Sequence, residues 1–496
     1  MTLELDDIQG ILARGYGHLR AAHFTLFAAP DAAAARALLT WLLPRVTTAA
    51  TARGDAAWNV AYTPTGLRRL GLPPATVDAF SAELTAGMAD PDRSRALGDL
   101  DGSAPRHWAW GGPESPPFDG VILLYAADAA RLASLRAELR RLLADLGVHT
   151  VADLDTAELA GTEPFGFRDG ISQPLIDGLP AAVPGNRRAV PAGEFVLGYR
   201  NAYGLLTDRP LLSPSADPDR LLPADPDGTG APDLGRNGSY LVMRQLAQDV
   251  DAFWRYAEDA TRRPDGSPDP AAAVALAAKM VGRWPSGAPL VKAPDRDDPL
   301  LAADNDFGYH HTDPLGYACP LGAHVRRTNP RDSLDPSPGT DASLAVNDRH
   351  RLLRRGRSYG PAAGSAGGGD PTAERGLHFL CLAGNLSRQF EFVQHTWLNN
   401  PTFHGLYADP DPVVGSRPAS GGDFTSPARP VRRRYRGLPR FVRTRGGAYF
   451  FLPGISALRY LAHLPGGTGT GTDAGTERTD RVRVVGPDIT ERTTTS

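Results

Sequence analysis

Cysteine is almost absent from this chain of 496 residues: Cys319 and Cys381 are the only two. That excludes a disulfide scaffold and a four-cysteine zinc or iron–sulfur site built from this chain alone. Two buried, reduced thiols are expected instead. Lysine is as scarce, with Lys279 and Lys292 alone, so nearly all positive charge is arginine. Neither sign of charge dominates, since 53 basic and 56 acidic side chains leave a formal net charge of −3. Nucleic-acid binders gather positive charge against phosphates, and membrane-surface helices gather it against lipid, so neither partner is expected. No apolar run approaches the roughly 20 residues of a membrane span. The opening MTLELDDIQG is acidic and lacks a positive segment leading into an apolar one. This predicts no export signal and a cytoplasmic location. The HExxH motif, paired CxxC motifs, the GxxxxGK[ST] phosphate loop and the GxSxG elbow are also missing. His310 and His311 are adjacent, and neighbours on a strand face opposite ways, so they are not expected to share an ion.

What is present reads as strands followed by helices. Residues 23–29 (HFTLFAA) have strand character, and residues 31–43 have helical Ala/Leu spacing with Asp31 as N-cap. Residues 120–125 (GVILLY) predict a buried strand, followed by an arginine-laced amphipathic helix over 128–146. The second half repeats this order: strand 239–244, helix 248–260, strand 376–383, helix 387–397, and a further strand at 448–452. Two similar α+β bodies, each an antiparallel sheet with helices on one face, fit the layout, as does a parallel α/β sheet. Domain limits are placed at 1–210 and 236–465. The glycine-rich stretch 362–370 is expected to be flexible, and the Thr/Gly-rich tail 466–496 to be disordered.

Three segments carry candidate chemistry. In FGFRDGISQP (residues 165–174), Gly166 and Gly170 bracket Asp169 and would hold a carboxylate on a sharp turn. In CPLGAHVRRTNPR (residues 319–331), His324 follows the small Gly322 and Ala323, which would leave room for a flat group. In HRLLRRGRSYGP (residues 350–361), an arginine offers a cation that does not deprotonate. Taken singly, each has a plain reading: an Asx turn, a structural histidine among arginines, a solvated basic run. Together they supply an axial nitrogen, a carboxylate and a fixed cation, the inventory of a haem peroxidase.

These segments, in this order, resemble the dye-decolorizing peroxidases. DIQGIL (7–12), NDFGY (305–309), RQFEFVQHTWLNNPTFHGLY (388–407) and RGGAYFFLPGISALR (445–459) are also similar to that family. The resemblance implies two ferredoxin-like α+β domains, antiparallel sheets with peripheral helices, sandwiching haem b. It implies His324 as the proximal iron ligand, Asp169 as the distal acid–base residue, Arg354 rather than Arg355 as the distal arginine, and Arg326 near a haem propionate. It implies an acidic partner for His324, for which Asp409 and Glu391 are the candidates. The implied activity is reduction of hydrogen peroxide and oxidation of aromatic or dye-like donors through a ferryl intermediate. Trp397, Tyr407 and Tyr449 are candidate relays for electrons from bulky donors, and a homo-oligomer is left open. A non-catalytic haem carrier or haem-iron-handling protein is the alternative; it would use His324 but not Asp169 or Arg354.

Overall fold

The computed structural model describes residues 2–179, 188–361 and 373–464; the stretch 362–370 and the tail 466–496 lie outside the described residues. The described chain forms strands β1 (Ala21–Ala28), β2 (Ala56–Tyr62), β3 (Gly120–Ala126), β4 (His149–Asp155), β5 (Ser239–Gln248), β6 (Leu353–Arg354), β7 (Arg357–Tyr359), β8 (Gly376–Ala383), β9 (Gly422–Ser426), β10 (Arg433–Leu438) and β11 (Val442–Leu452). Nine join one sheet in the order β4-β1-β3-β2-β11-β5-β8-β6, with β7 also on β8; β9 and β10 form a separate pair. Every strand pair is antiparallel, so the parallel α/β reading falls and the α+β one stands.

The predicted strands and helices recur within a few residues, and the Asp31 carboxylate caps its helix, Ala32–Leu42, by accepting from Ala34 N at 2.8 Å. The region 387–397 is helical but wound in wide π-type turns (Ser387–Glu391, Val393–Leu398). Strands β2 and β4 escape the sequence reading for physical reasons. The centre of β2 is the polar Asn59, which is buried and accepts from Ile11 N at 3.2 Å. Strand β4 is a sheet edge whose polar residues stay exposed.

The run GVILLY is apolar throughout because its sheet is buried on both faces. Val121, Leu123 and Tyr125 face an inner core shared with Phe24 and Leu26 of β1, Leu241 and Met243 of β5, and Leu380 and Leu382 of β8. Ile122 and Leu124 face the opposite way, into a core with the helices Ala32–Leu42, Ala129–Asp145 and Ile455–His463. Side chains from the two ends of the sheet thus meet across one interior, and the sheet curls towards closure. Ala157 N donates to Ser358 O at 2.7 Å, and a ring nitrogen of His378 lies 3.0 Å from Asp155 O.

The two halves of the sheet touch through a single register pair, Phe451 with Tyr62. Gln9 of the DIQG motif fills the seam. Its Nε2 donates to Val60 O (2.8 Å) and Pro453 O (3.0 Å), and its Oε1 accepts from Val60 N (3.0 Å). Gln9 is fully buried, so Gln9→Leu would leave three backbone groups unpaired. Each such group costs about 1–3 kcal/mol, so a loss of at least ~2 kcal/mol is expected, read as a lower thermal midpoint.

Candidate active site

A cavity of about 270 Å³ lies on the helix-covered face of the C-terminal half of the sheet, walled by β5, β6 and β8 and by the helix His324–Thr328. Segments from earlier in the chain, near Gly98 and from Glu163 to Ser172, cover it, so both halves of the chain contribute.

Asp169, Arg354 and His324 line this one cavity. The loop carrying Asp169 turns at Gly166 (φ +97°) and Gly170 (φ +79°), a left-handed region costly for residues with a Cβ. Asp169 Oδ1 accepts from Gly170 N at 2.6 Å and from Arg354 Nη1 at 3.1 Å. Arg354 is held in turn on β6, where its own backbone N donates to Gln173 Oε1 at 3.0 Å. Both side chains keep exposure towards the cavity, 42% for Asp169 and 34% for Arg354. Burial of the loop pushes the Asp169 carboxyl upward, but the Arg354 charge and the Gly170 amide outweigh it. The carboxyl is held below the usual range. Arg355, one residue on, points away and donates to Ile11 O (2.7 Å) and Leu12 O (3.0 Å).

The His324 partner is neither of the two acids read from the sequence. Glu391 is taken by Arg93 (2.9 Å) and the Tyr449 hydroxyl (2.9 Å), and Asp409 by Thr425 N (2.9 Å). Asp411 fills the role: its Oδ2 lies 2.9 Å from His324 Nδ1, while its Oδ1 accepts from Val413 N (2.9 Å) and Val414 N (2.8 Å). Asp411 is 0% exposed, and burial raises its carboxyl, yet His324, the Val414 amide and Arg327 bring it below the usual range. A carboxylate only accepts, so His324 carries its proton on Nδ1 and keeps the Nε2 lone pair for the cavity.

Arg326 is a second correction. It does not line the cavity; its Nη1 donates to Cys319 O (2.8 Å) and Asp313 (3.2 Å), and its guanidinium stacks 4.4 Å from the Tyr309 ring. Arg327 is likewise a staple, donating to Gly322 O, Asn400 O and Asp409 O, and it ties the His324 helix to the loop that bears Asp411. The small residues before His324 serve packing rather than room for a flat group. A Cβ on Gly322 would meet Leu406 at 3.3 Å, and Ala323 is fully buried. Cys319 and Cys381 are buried free thiols; burial pushes Cys319 up to about 11, against a thiolate. Trp397 and Tyr449 are buried, whereas Tyr407 is 88% exposed.

Among the described residues no three His, Cys, Asp or Glu side chains gather to hold a bare metal ion, and no helix is long and apolar enough to cross a membrane. The donor chemistry does fit a haem. It offers one imidazole with a free Nε2 and a carboxylate behind it, and apolar walls from Phe379, Phe390, Leu398 and Val413 for a flat macrocycle. Arg168 in the same wall, unlike Arg326, is open to the cavity and suits a carboxylate of the macrocycle, whereas Arg283 is buried and spends its donors on Gly287 O, Asp304 O and Asn305. Sequence reasoning missed Asp411 and Glu163, a half-buried carboxylate that also borders the cavity.

No family model matches the chain. It is 34% identical over 484 residues to the dye-decolorizing peroxidase of Exidia glandulosa, a match spanning 92% of this chain and 87% of the relative. The fold aligns with the crystal structure of a fungal DyP-type peroxidase from Auricularia auricula-judae at TM-score 0.73 and 30% identity, covering 93% of this chain and 100% of that one. A dye-decolorizing peroxidase in complex with 2,6-dimethoxyphenol aligns at TM-score 0.73 and 28% identity, with 93% and 100% coverage.

Proposed function

Because the chain belongs to the dye-decolorizing peroxidase family and is a haem peroxidase, we propose that Asp169 is its acid–base group towards hydrogen peroxide, that Arg354 supplies the fixed cation, and that His324 holds haem b through Nε2. When bound, haem supplies the iron that takes oxidising equivalents from peroxide and passes them on one electron at a time. Asp169 accepts a proton from one peroxide oxygen and returns it to the other, which leaves as water. Arg354, always charged, stabilises the negative charge that develops as the two oxygens separate, and it keeps Asp169 ionised between turnovers. Asp411 fixes the ring of His324 and raises its basicity as a ligand. Arg168, exposed on the cavity wall, would pair with a propionate.

The observation that carries this reading is the Arg354–Asp169 contact at 3.1 Å on the wall of the cavity that His324 also lines. A carrier needs His324 and gains nothing from that pair. The donor class is small aromatic reductants, for which 2,6-dimethoxyphenol, bound by a relative, is the probe. The reading is tested by the pH dependence of the reaction with peroxide. With the carboxyl held below the usual carboxylate range by Arg354, the base form persists into acid, and the rate falls only once that range is passed. In Arg354→Leu the charge opposing burial is gone, so the acid limb must move to higher pH while the maximal rate drops by about 10–100-fold. An acid limb left where the parent has it would detach Arg354 from Asp169.

A further inference from the structure

Glu163 lies six residues before Asp169, and the loop between them is wrapped around its carboxylate. Oε1 accepts from Phe167 N at 2.9 Å; Oε2 accepts from Phe165 N at 3.0 Å and from Gln248 Nε2 at 2.8 Å. The Glu163 backbone closes the same turn, its N donating to Phe167 O (2.9 Å) and its O accepting from Gly166 N (2.8 Å). Beyond it, Asp169 N donates to Gly161 O at 3.2 Å, and Trp254 Nε1 donates to Phe165 O at 3.0 Å. The Gln248 contact reaches out of the loop. Gln248 ends β5, its backbone N donates to Arg375 O at 2.8 Å, and β5 pairs with β8, whose Cys381 pairs with Arg354 on β6. One side chain thus sets the shape of the loop that presents the carboxylate and ties that loop to the strands that present the guanidinium.

We propose that Glu163 is a positioning residue of the peroxide reaction, holding Asp169 in register with Arg354 through the Phe165 and Phe167 amides and through Gln248. This rests on Asp169 being the acid–base group. The carboxylate is suited to the task because both of its oxygens are acceptors, and two backbone amides plus one side-chain amide all need acceptors. Asp169 itself has only one backbone amide to hold it, and 42% of its side chain is open to the cavity, so its placement depends on the loop. Glutamine at 163 keeps the shape but presents an NH₂ group where one of the amides needs an oxygen. The turn then loosens, without a large change in volume.

The test is a double-mutant cycle on the haem-loaded protein, comparing parent, Glu163→Gln, Asp169→Asn and the double variant in the reaction with hydrogen peroxide. Misplacing a reacting group by about 1 Å costs on the order of 10²-fold, so Glu163→Gln is expected to slow the parent by about 10–100-fold. In the Asp169→Asn background the same change should matter less than about twofold, because there is no longer a proton acceptor to position. Backbone hydrogen exchange over residues 161–170 should quicken in Glu163→Gln, with haem content and exchange elsewhere unchanged. Gln248→Met, which removes the outer tie alone, should give a smaller loss with the same dependence on Asp169, and it replaces Glu163→Gln should that variant fail to fold. Parent-like rates in the Glu163 variant, or equal slowing in both backgrounds, would overturn the inference. Asp169→Asn reacting at the parent rate would instead sink the acid–base assignment on which it stands.

Discussion

Asp169→Asn is expected to lower kcat/KM for hydrogen peroxide by about 10²–10⁴-fold, the range that positioned general acid–base groups contribute. The substitution is nearly isosteric. Asparagine Oδ1 can still accept from Gly170 N and from Arg354 Nη1, the two contacts that place the native side chain. What is lost is the basic oxygen that receives a proton, and the negative charge opposite the guanidinium. The variant should therefore keep its haem and its resting absorption spectrum, since His324 and Asp411 are untouched. Steady-state oxidation of 2,6-dimethoxyphenol over a range of peroxide concentrations, normalised to haem, measures the effect. A loss of less than about tenfold would remove Asp169 from the proton transfer.

His324→Ala is expected to abolish stoichiometric haem retention and with it nearly all peroxidase turnover. No neighbouring side chain can take over. Among the described residues no cluster of ligating groups borders the cavity, and Cys319 and Cys381 are buried thiols whose pKa values burial raises. The substitution also strips Asp411 of its partner at a position with 0% exposure. Leaving a buried carboxylate oxygen without its hydrogen-bond donor costs about 1–3 kcal/mol, so the variant should also melt lower than the parent. Asp411→Asn separates the two effects: it keeps a hydrogen-bonding group behind the imidazole while removing the charge. It should keep haem but raise the reduction potential of the iron, because a less basic imidazole stabilises the ferric state less. Haem per chain, taken from the absorption of the pyridine complex, and the thermal midpoint together read out both variants.

How much of this was legible in the sequence differs residue by residue. Asp169, His324 and Arg354 stand in segments that each have a plain reading alone and point to one site only in combination, and the structure does bring them to one cavity, whereas strands such as GVILLY announce themselves by unbroken apolarity. The helix Val250–Ala260 shows its buried face in Val250, Phe253 and Ala257. Asp411 was hidden because it shares the stretch ADPDP with Asp409, and two aspartates each followed by proline look alike from outside. Which of them turns inward is decided by tertiary contacts: Asp409 is drawn to β9 by Thr425 N, and Asp411 is enclosed under the His324 helix. Arg326 was misjudged for the same reason. An arginine two residues past a ligand looks like propionate chemistry, but its guanidinium bonds inward, to Asp313 and the Cys319 carbonyl, and binds the helix to its surroundings. Glu163 gave no local signal at all, because its role depends on the loop closing around it. Strand β2 was missed because Asn59 interrupts its apolarity, and only the folded chain supplies Ile11 N as a partner.

The central claim is that this cavity turns peroxide over rather than merely storing a pigment. Rapid mixing of the haem-loaded protein with hydrogen peroxide, followed by 2,6-dimethoxyphenol, tests it most directly. The expected result is a fast spectral change whose rate rises in proportion to peroxide concentration, and a full return to the resting spectrum when the donor is added. Slow, monotonic bleaching that the donor neither halts nor reverses would contradict it.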